Sequence, residues 1–256
     1  MANVAALPIL LKELHLSAMA RQWEALQEEA LSSHWTLAQY LTVLCENEVA
    51  HRHTQRLQRY RQESHLPAAK TLSQFDFGAC PQANSTQLAH LAHNAEWVER
   101  ADNLLLFGPS GVGKTHWAAI GHGLIEPGQR VYFTPTTQLV QPLQVAKREL
   151  KLPEALARLD KYEALILDDI AYVKKTEMET SALFELIAHR YESGSLIITS
   201  NQPFSEWDSI FSDNMMTVAA IDRLVHHAQI IEIQGESYRK MQSLRRKKPD
   251  STGFRG

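Results

Sequence analysis

Cysteine is nearly absent from this chain. Only Cys45 and Cys80 occur among its 256 residues, with no metal-ligand spacing between them. That excludes a disulfide-stapled scaffold and a cysteine-based zinc module, and it points to buried free thiols in a reducing compartment. There is no run of roughly eighteen apolar residues, so nothing is expected to span a membrane. The amino terminus has an early Pro8 and then amphipathic sequence instead of a basic stretch and an apolar core. A secretion signal is therefore not expected, and the cytoplasm is the default location. Charge of one sign is lacking too. The net charge is −3, so any nucleic-acid surface must come from local clusters of basic residues. The twelve histidines suggest no structural metal. His51 and His53 have no partners at zinc spacing, and His226 and His227, being adjacent, are expected to face different sides of a helix.

What is present is an ordinary globular composition, 44% hydrophobic and sufficient for a sizeable core. Leu7, Leu10, Leu11 and Leu14, then Met19, Trp23, Leu26 and Ala30, recur at helical spacing. Ser32 to Trp35 interrupts them. Thr36 and Gln39 form a capping box ahead of a second helix reaching about Gln62. Pro67 ends the region, and Pro67, Gly78, Pro81, Asn84 and Ser85 mark a linker. The expected organisation is a helical domain over 1–66, a linker over 67–87, an α/β domain over 88–244 and a basic tail over 245–256.

From residue 88 a helix (88–100) precedes short apolar strands at Asn103–Phe107, Arg130–Thr134, Ala164–Asp168 and Ser195–Ser200, with a fifth at Ile230–Ile233. Helices alternate with them. One spans 137–159, broken by Pro142 and Pro153, and another spans 178–192. This alternation predicts a parallel sheet covered on both faces.

The most specific stretch is Gly108, Pro109, Ser110, Gly111, Val112, Gly113, Lys114 and Thr115. It satisfies the phosphate-loop pattern, in which glycines let backbone N–H groups converge on a phosphate. Lys114 can reach the outer phosphates, and the Thr115 hydroxyl can ligate Mg²⁺. A strand precedes the loop and a helix follows it, as such loops require. At average residue usage the pattern arises by chance in roughly one chain of this length per hundred. ATP and Mg²⁺ are the expected ligands.

Asp168 and Asp169 end the third strand. One can hold Mg²⁺ through water, and the other can orient or deprotonate an attacking water. The plain alternative is that both cap a helix or face solvent. Asn201 follows the fourth strand and can position the water or touch the γ-phosphate, although Ser-Asn after a strand is also an ordinary turn signal. Arg52, Arg56 and Arg59 lie near the end of the second amino-terminal helix. They make a face for phosphates or a solvated helix end. Lys147, Arg148 and Lys151 form a second basic cluster, Lys174 and Lys175 a weaker one, and Arg245 to Lys248 a basic tail.

Taken together, Gly108–Thr115, Leu165–Ile170, Ile198–Asn201 and Ala220–Leu224 resemble the Walker A, Walker B, sensor-one and box-seven elements of an AAA+ ATPase. More narrowly, the chain resembles the IstB-type transposition helper ATPases of insertion sequences, relatives of the helicase loader DnaC and the initiator DnaA. Asn201–Trp207, Asp222–His227, Gly235–Arg239 and Lys70–Phe77 carry that likeness. The resemblance implies an AAA+ core behind a helical domain, with an abbreviated or absent carboxy-terminal lid. It implies that Arg223 is an arginine finger acting on a neighbouring subunit, and that Arg239 is a sensor-two arginine. It places Lys147, Arg148 and Lys151 where initiator-type relatives face a central channel. It further implies ATP hydrolysis, head-to-tail self-assembly, double-stranded DNA and a cognate transposase as partners. Two alternatives remain: a DnaC-like loader of a replicative helicase, and a small-molecule kinase built on the same loop. The paired aspartates, Asn201 and Arg223 argue against the kinase.

Overall fold

The structure, a computed structural model, describes residues 4–74, 84–117, 120–171, 176–211 and 214–233. The chain divides into two compact units, residues 1–59 and 60–256.

In the first unit, α1 (Leu7–Glu13), α2 (Ser17–Ser32) and most of α3 (Leu37–Glu63) surround Leu11, Met19 and Leu44. The break between α1 and α2 falls at His15, whose φ of 57° stops a helix that the leucine spacing alone would have continued. The capping box opening α3 is formed: the Thr36 N–H donates to Gln39 Oε1, and the Gln39 N–H donates to Thr36 Oγ1. The start of α2 has no cap of its own. Instead the buried Glu48 of α3 accepts the N–H groups of Ala18 and Met19 at 2.7 and 3.2 Å. A carboxylate there satisfies orphan donors and complements the helix dipole. Cys45 is exposed, contrary to the expected burial, because it lies on the outer face of α3 with Leu41 and Val49. Cys80 lies outside the described residues.

The second unit holds a five-stranded, wholly parallel sheet among the described residues: β1 (Asn103–Phe107), β2 (Val131–Pro135), β3 (Ala164–Asp168), β4 (Ser195–Ser200) and β5 (Ala228–Glu232), in the order β2-β3-β4-β1-β5. β1, β3 and β4 are buried along nearly their whole length, with apolar centres (Leu104–Leu106, Leu165–Leu167 and Leu196–Ile198), because both faces are covered. The register pairs Leu105 with Ile198, and Ile166 with Ile197, bringing the carboxyl ends of the three strands level. The helix expected over 88–100 is two helices, α4 (Ser85–His93, capped by Asn84) and α5 (Glu96–Glu99). The chain then enters α6 (Lys114–Trp117) and α7 (Ile120–Ile125) after β1. A Cβ on Gly123 of α7 would sit 2.7 Å from the Ala92 Cβ, so the close packing of α7 on α4 requires glycine there.

The region over 137–159 is also two helices, but not for the expected reason. Pro142 lies inside α8 (Thr136–Arg148) without ending it, and Pro153 sits in the first turn of α9 (Leu152–Ala157). The break falls at Leu150, with φ of 58°, where the Lys151 N–H closes back on the Ala146 carbonyl. α10 (Glu177–Arg190) and α11 (Asn214–Val225) complete the unit. Arg190, 2% exposed, donates to the carbonyls of Tyr162 and Glu163 at 2.9 and 2.8 Å, fastening the end of α10 beneath β3 and β4. Burial lowers its pKa, opposed by the charges of Asp160 and Glu163.

Candidate functional site

Parallel strands deliver their following loops to one edge of the sheet, and the loops after β1, β3 and β4 meet there. The loop after β1 uses its glycines for backbone conformation. Gly108, Gly111 and Gly113 have φ of 154°, 89° and 102°. A Cβ on Gly108 would also collide with the Ile233 carbonyl beyond β5. The Gly108 N–H donates to the Ser200 carbonyl at 3.2 Å, tying the loop to the tip of β4. Val112 is buried beneath the loop, while Pro109 and Ser110 are exposed on it.

Lys114 is 8% exposed, and its ammonium donates to the Gly108 and Pro109 carbonyls at 2.6 and 2.8 Å. The ammonium thus lies at the glycine-rich loop, within reach of the outer phosphates that such a loop cradles. Beside it the Thr115 hydroxyl lies 3.2 Å from Asp168 Oδ2. Asp168 is held from two further sides. The Thr199 hydroxyl donates to its Oδ1 at 2.7 Å, and the Thr136 hydroxyl donates to its backbone carbonyl at 3.1 Å. The Asp169 N–H donates to Thr199 Oγ1 at 2.7 Å, and Asp169 takes a left-handed φ of 59°. Thr199 thus joins the two acidic positions through one hydroxyl. The sequence placed Thr199 in a motif without giving it a task. That task depends on β4 lying beside the tip of β3, a pairing with no local signal in the sequence. Asn201 is exposed just past β4, and Gln202 beside it is fixed by Ser200 Oγ and the buried Trp207 indole.

The donor set fits a nucleotide with a hard divalent cation. A hydroxyl and a carboxylate meet beside an ammonium-bearing loop, and oxygen ligands of this kind suit Mg²⁺. Thr115 and Asp168 are the residues that would hold the ion.

Other predicted positions lie apart from this cluster. Arg223 of α11 donates to the Ala219 carbonyl at 2.9 Å and stacks over the Phe184 ring of α10 at 5.3 Å. It lines an open concavity of about 540 Å³ with Tyr191, Met215, Val218 and Asp222. Lys147, at the end of α8, donates to Ser181 at 2.7 Å and pairs with Glu185. Lys151 pairs with Glu149, and Arg148 is exposed. In the first unit Arg52 binds Glu48 at 2.9 Å and the His15 carbonyl at 2.8 Å. Those bonds give it a structural task, although it is exposed like Arg56 and Arg59. Arg239, Lys174, Lys175, the basic tail and any lid lie outside the described residues.

His226 and His227 differ from expectation. α11 stops at Val225, so both histidines occupy a turn, and their rings are 4.1 Å apart instead of facing opposite ways.

A phosphate loop and a paired-aspartate strand, on a five-stranded parallel sheet ordered β2-β3-β4-β1-β5, define an AAA+ P-loop fold. The DnaC helicase loader shares it, with a TM-score of 0.52 at 21% identity over 68% of this chain and 98% of that one. AMPPCP-bound DnaA from Aquifex aeolicus does so with a TM-score of 0.54 at 20% identity, over 72% and 56%. At these identities the likeness is one of fold. The profile of the IstB-like ATP binding protein family matches residues 9–246, and the chain belongs to that family. An insertion-sequence ATP-binding protein of Sinorhizobium fredii is 49% identical over 245 residues, 95% of this chain and 82% of the relative. The ATP-binding protein of insertion sequence IS21 from Pseudomonas aeruginosa is 38% identical over 234 residues, 91% and 88%. No helix among the described residues is long and apolar enough to cross a membrane.

Proposed function

We propose that this protein is an ATP- and Mg²⁺-dependent ATPase that assembles head to tail on double-stranded DNA in the cytoplasm. There it delivers the DNA to a cognate transposase, and hydrolysis regulates the assembly. The observation that carries the reading is the hydrogen-bonded set Thr115, Asp168, Thr199 and Asp169 beside Lys114, on a chain of the IstB-like family.

The loop from Gly108 to Gly113 presents backbone N–H groups to phosphate oxygens, and Lys114 neutralises the outer charge. Bound Mg²⁺–ATP supplies the transferable phosphoryl group and a cation that offsets its charge. Thr115 and Asp168 hold the ion, Asp169 accepts a proton from water, and Asn201 orients that water. Arg223 lies apart from the loop, engaged with Phe184 on the α10–α11 pair, which suits action on a neighbour's nucleotide. Lys147, Arg148 and Lys151 supply the DNA face, with Arg56 and Arg59 as the second candidate surface.

The test is Asp169→Asn, which removes the base but keeps the side-chain shape. The variant should bind a fluorescent ATP analogue like the parent, hydrolyse ATP slowly and stay longer on a labelled duplex. Normal turnover would overturn the role of Asp169. Duplex binding indifferent to ATP would overturn the assembly reading. Capture of a replicative helicase instead of the transposase would return the chain to the loader alternative.

A further inference from the structure

The turn after α10 and the turn after α11 lie at the amino ends of β4 and β5, the opposite end of the sheet from the phosphate loop. Glu192 comes from the first turn, and His226 and His227 from the second. One ligating atom from each lies within 4.8 Å of the other two, the one such trio among the described residues. All three side chains are exposed, so an ion could reach them without opening the fold.

The surroundings are more ordered than a chance meeting on the surface. The Tyr191 hydroxyl sits 2.8 Å from His226 Nδ1, and its ring lies over the imidazole at 5.9 Å. A bond at Nδ1 fixes the ring plane and leaves Nε2 to ligate, the usual division of labour in a metal-bound histidine. The second turn is pinned to the sheet: the Asn103 N–H donates to the His227 carbonyl at 2.6 Å, and Asn103 Nδ2 donates to the Leu224 carbonyl at 3.1 Å. Glu192 takes a left-handed φ of 56°. The backbone of the second turn and the His226 ring are therefore set by their neighbours, and the Tyr191 hydroxyl also bonds the Glu192 side chain.

We infer that Glu192, His226 and His227 form a site for a borderline transition-metal ion of the zinc class. Two imidazole nitrogens and one carboxylate oxygen select such an ion over Mg²⁺ or Ca²⁺, which take all-oxygen sets. Three protein ligands leave a fourth position for water. The bound ion joins the end of α10 to the end of α11, the pair on which Arg223 rests against Phe184. It acts as a staple behind Arg223, separate from the nucleotide cluster.

The experiment uses the full chain without an affinity tag and without nucleotide. Zn²⁺ is titrated calorimetrically, and Co²⁺ is followed by its visible absorption. The parent should bind one Zn²⁺ per chain and show the intense bands of four-coordinate Co²⁺. It should also melt at a higher temperature with Zn²⁺. His227→Ala and Glu192→Gln should each weaken binding at least about tenfold, and Tyr191→Phe about 10-fold through the freed ring. His51→Ala with His53→Ala, on α3, should change nothing. Circular dichroism verifies that each variant is folded, and the milder Glu192→Gln keeps the test decisive if His227→Ala is not. No saturable Zn²⁺ binding by the parent, or unchanged binding in folded Glu192→Gln and Tyr191→Phe, would overturn the site.

Discussion

Thr199 shows how much of the site rests on a residue with no reactive chemistry of its own. Its hydroxyl donates to Asp168 and accepts from the Asp169 N–H, so one group sets both the carboxylate proposed to hold Mg²⁺ and the one proposed as the base. Thr199→Val keeps the volume and removes both bonds. It leaves the Asp169 N–H seeking a partner at a cost of about 1–3 kcal/mol. It also loosens Asp168, and loss of a group orienting a ligand typically costs about 10–100-fold in metal affinity or activity. The variant should bind ATP nearly as the parent does but need more Mg²⁺ to reach half-maximal turnover. An Mg²⁺ titration of the steady-state rate checks this, and an unchanged curve would remove Thr199 from the mechanism. Lys114 and Thr115 were legible in the sequence because the loop follows a fixed pattern, and Asp168 and Asp169 because they end an apolar strand run; the structure brings Thr115 and Asp168 together. The task of Thr199 was not legible, because it depends on β4 lying against β3, and no local signal encodes that pairing.

At the scale of elements, local chemistry located the strands well and the helix breaks poorly. Runs such as Ala164–Leu167 and Leu196–Ile198 were readable because strands buried on both faces carry short continuous apolar stretches. His15 and Leu150 end helices in left-handed conformations that their residue types do not advertise, whereas Pro142 is tolerated inside α8. The cap of α2 was equally hidden, because Glu48 reaches it from a different helix. Burial pushes the Glu48 carboxyl up, but the Arg52 hydrogen bond, the N–H groups of Met19 and Ala18 and the Arg52 charge outweigh it. The pKa ends below the ordinary 4.5. A carboxyl lowered on folding stabilises the native state above its unfolded pKa, and that stability is lost as pH falls through the folded value. Glu48→Gln should therefore lower the melting temperature of the full chain at neutral pH. The gap to the parent should narrow as pH drops below about 4.5 and close beneath the folded pKa. Melts followed by circular dichroism across that range check this. A gap constant with pH would mean that Glu48 acts through packing and not through charge.

At the scale of the whole molecule, the site is incomplete in a single chain if Arg223 works as the family resemblance implies. The residues that meet at Lys114 come from the ends of β1, β3 and β4, while Arg223 is held on α11 against Phe184. On that reading, the guanidinium would complete catalysis by reaching the nucleotide of an adjacent copy, where it would stabilise charge on the transferred phosphoryl group. Arg223→Ala subunits should bind ATP normally yet hydrolyse it slowly, since a finger arginine contributes on the order of 10³–10⁵ in rate in related reactions. Lys114→Ala subunits should bind it poorly while keeping an intact arginine. Neither should work alone. Mixed together on duplex DNA, they form interfaces in which an Arg223→Ala subunit offers its pocket to a Lys114→Ala neighbour's arginine. Those interfaces hold every group one site needs. The ATPase rate plotted against mixing ratio should rise to a maximum between the two pure proteins. If the two variants co-assemble and the plot stays flat, Arg223 serves its own chain or none, and head-to-tail sharing of the site is wrong.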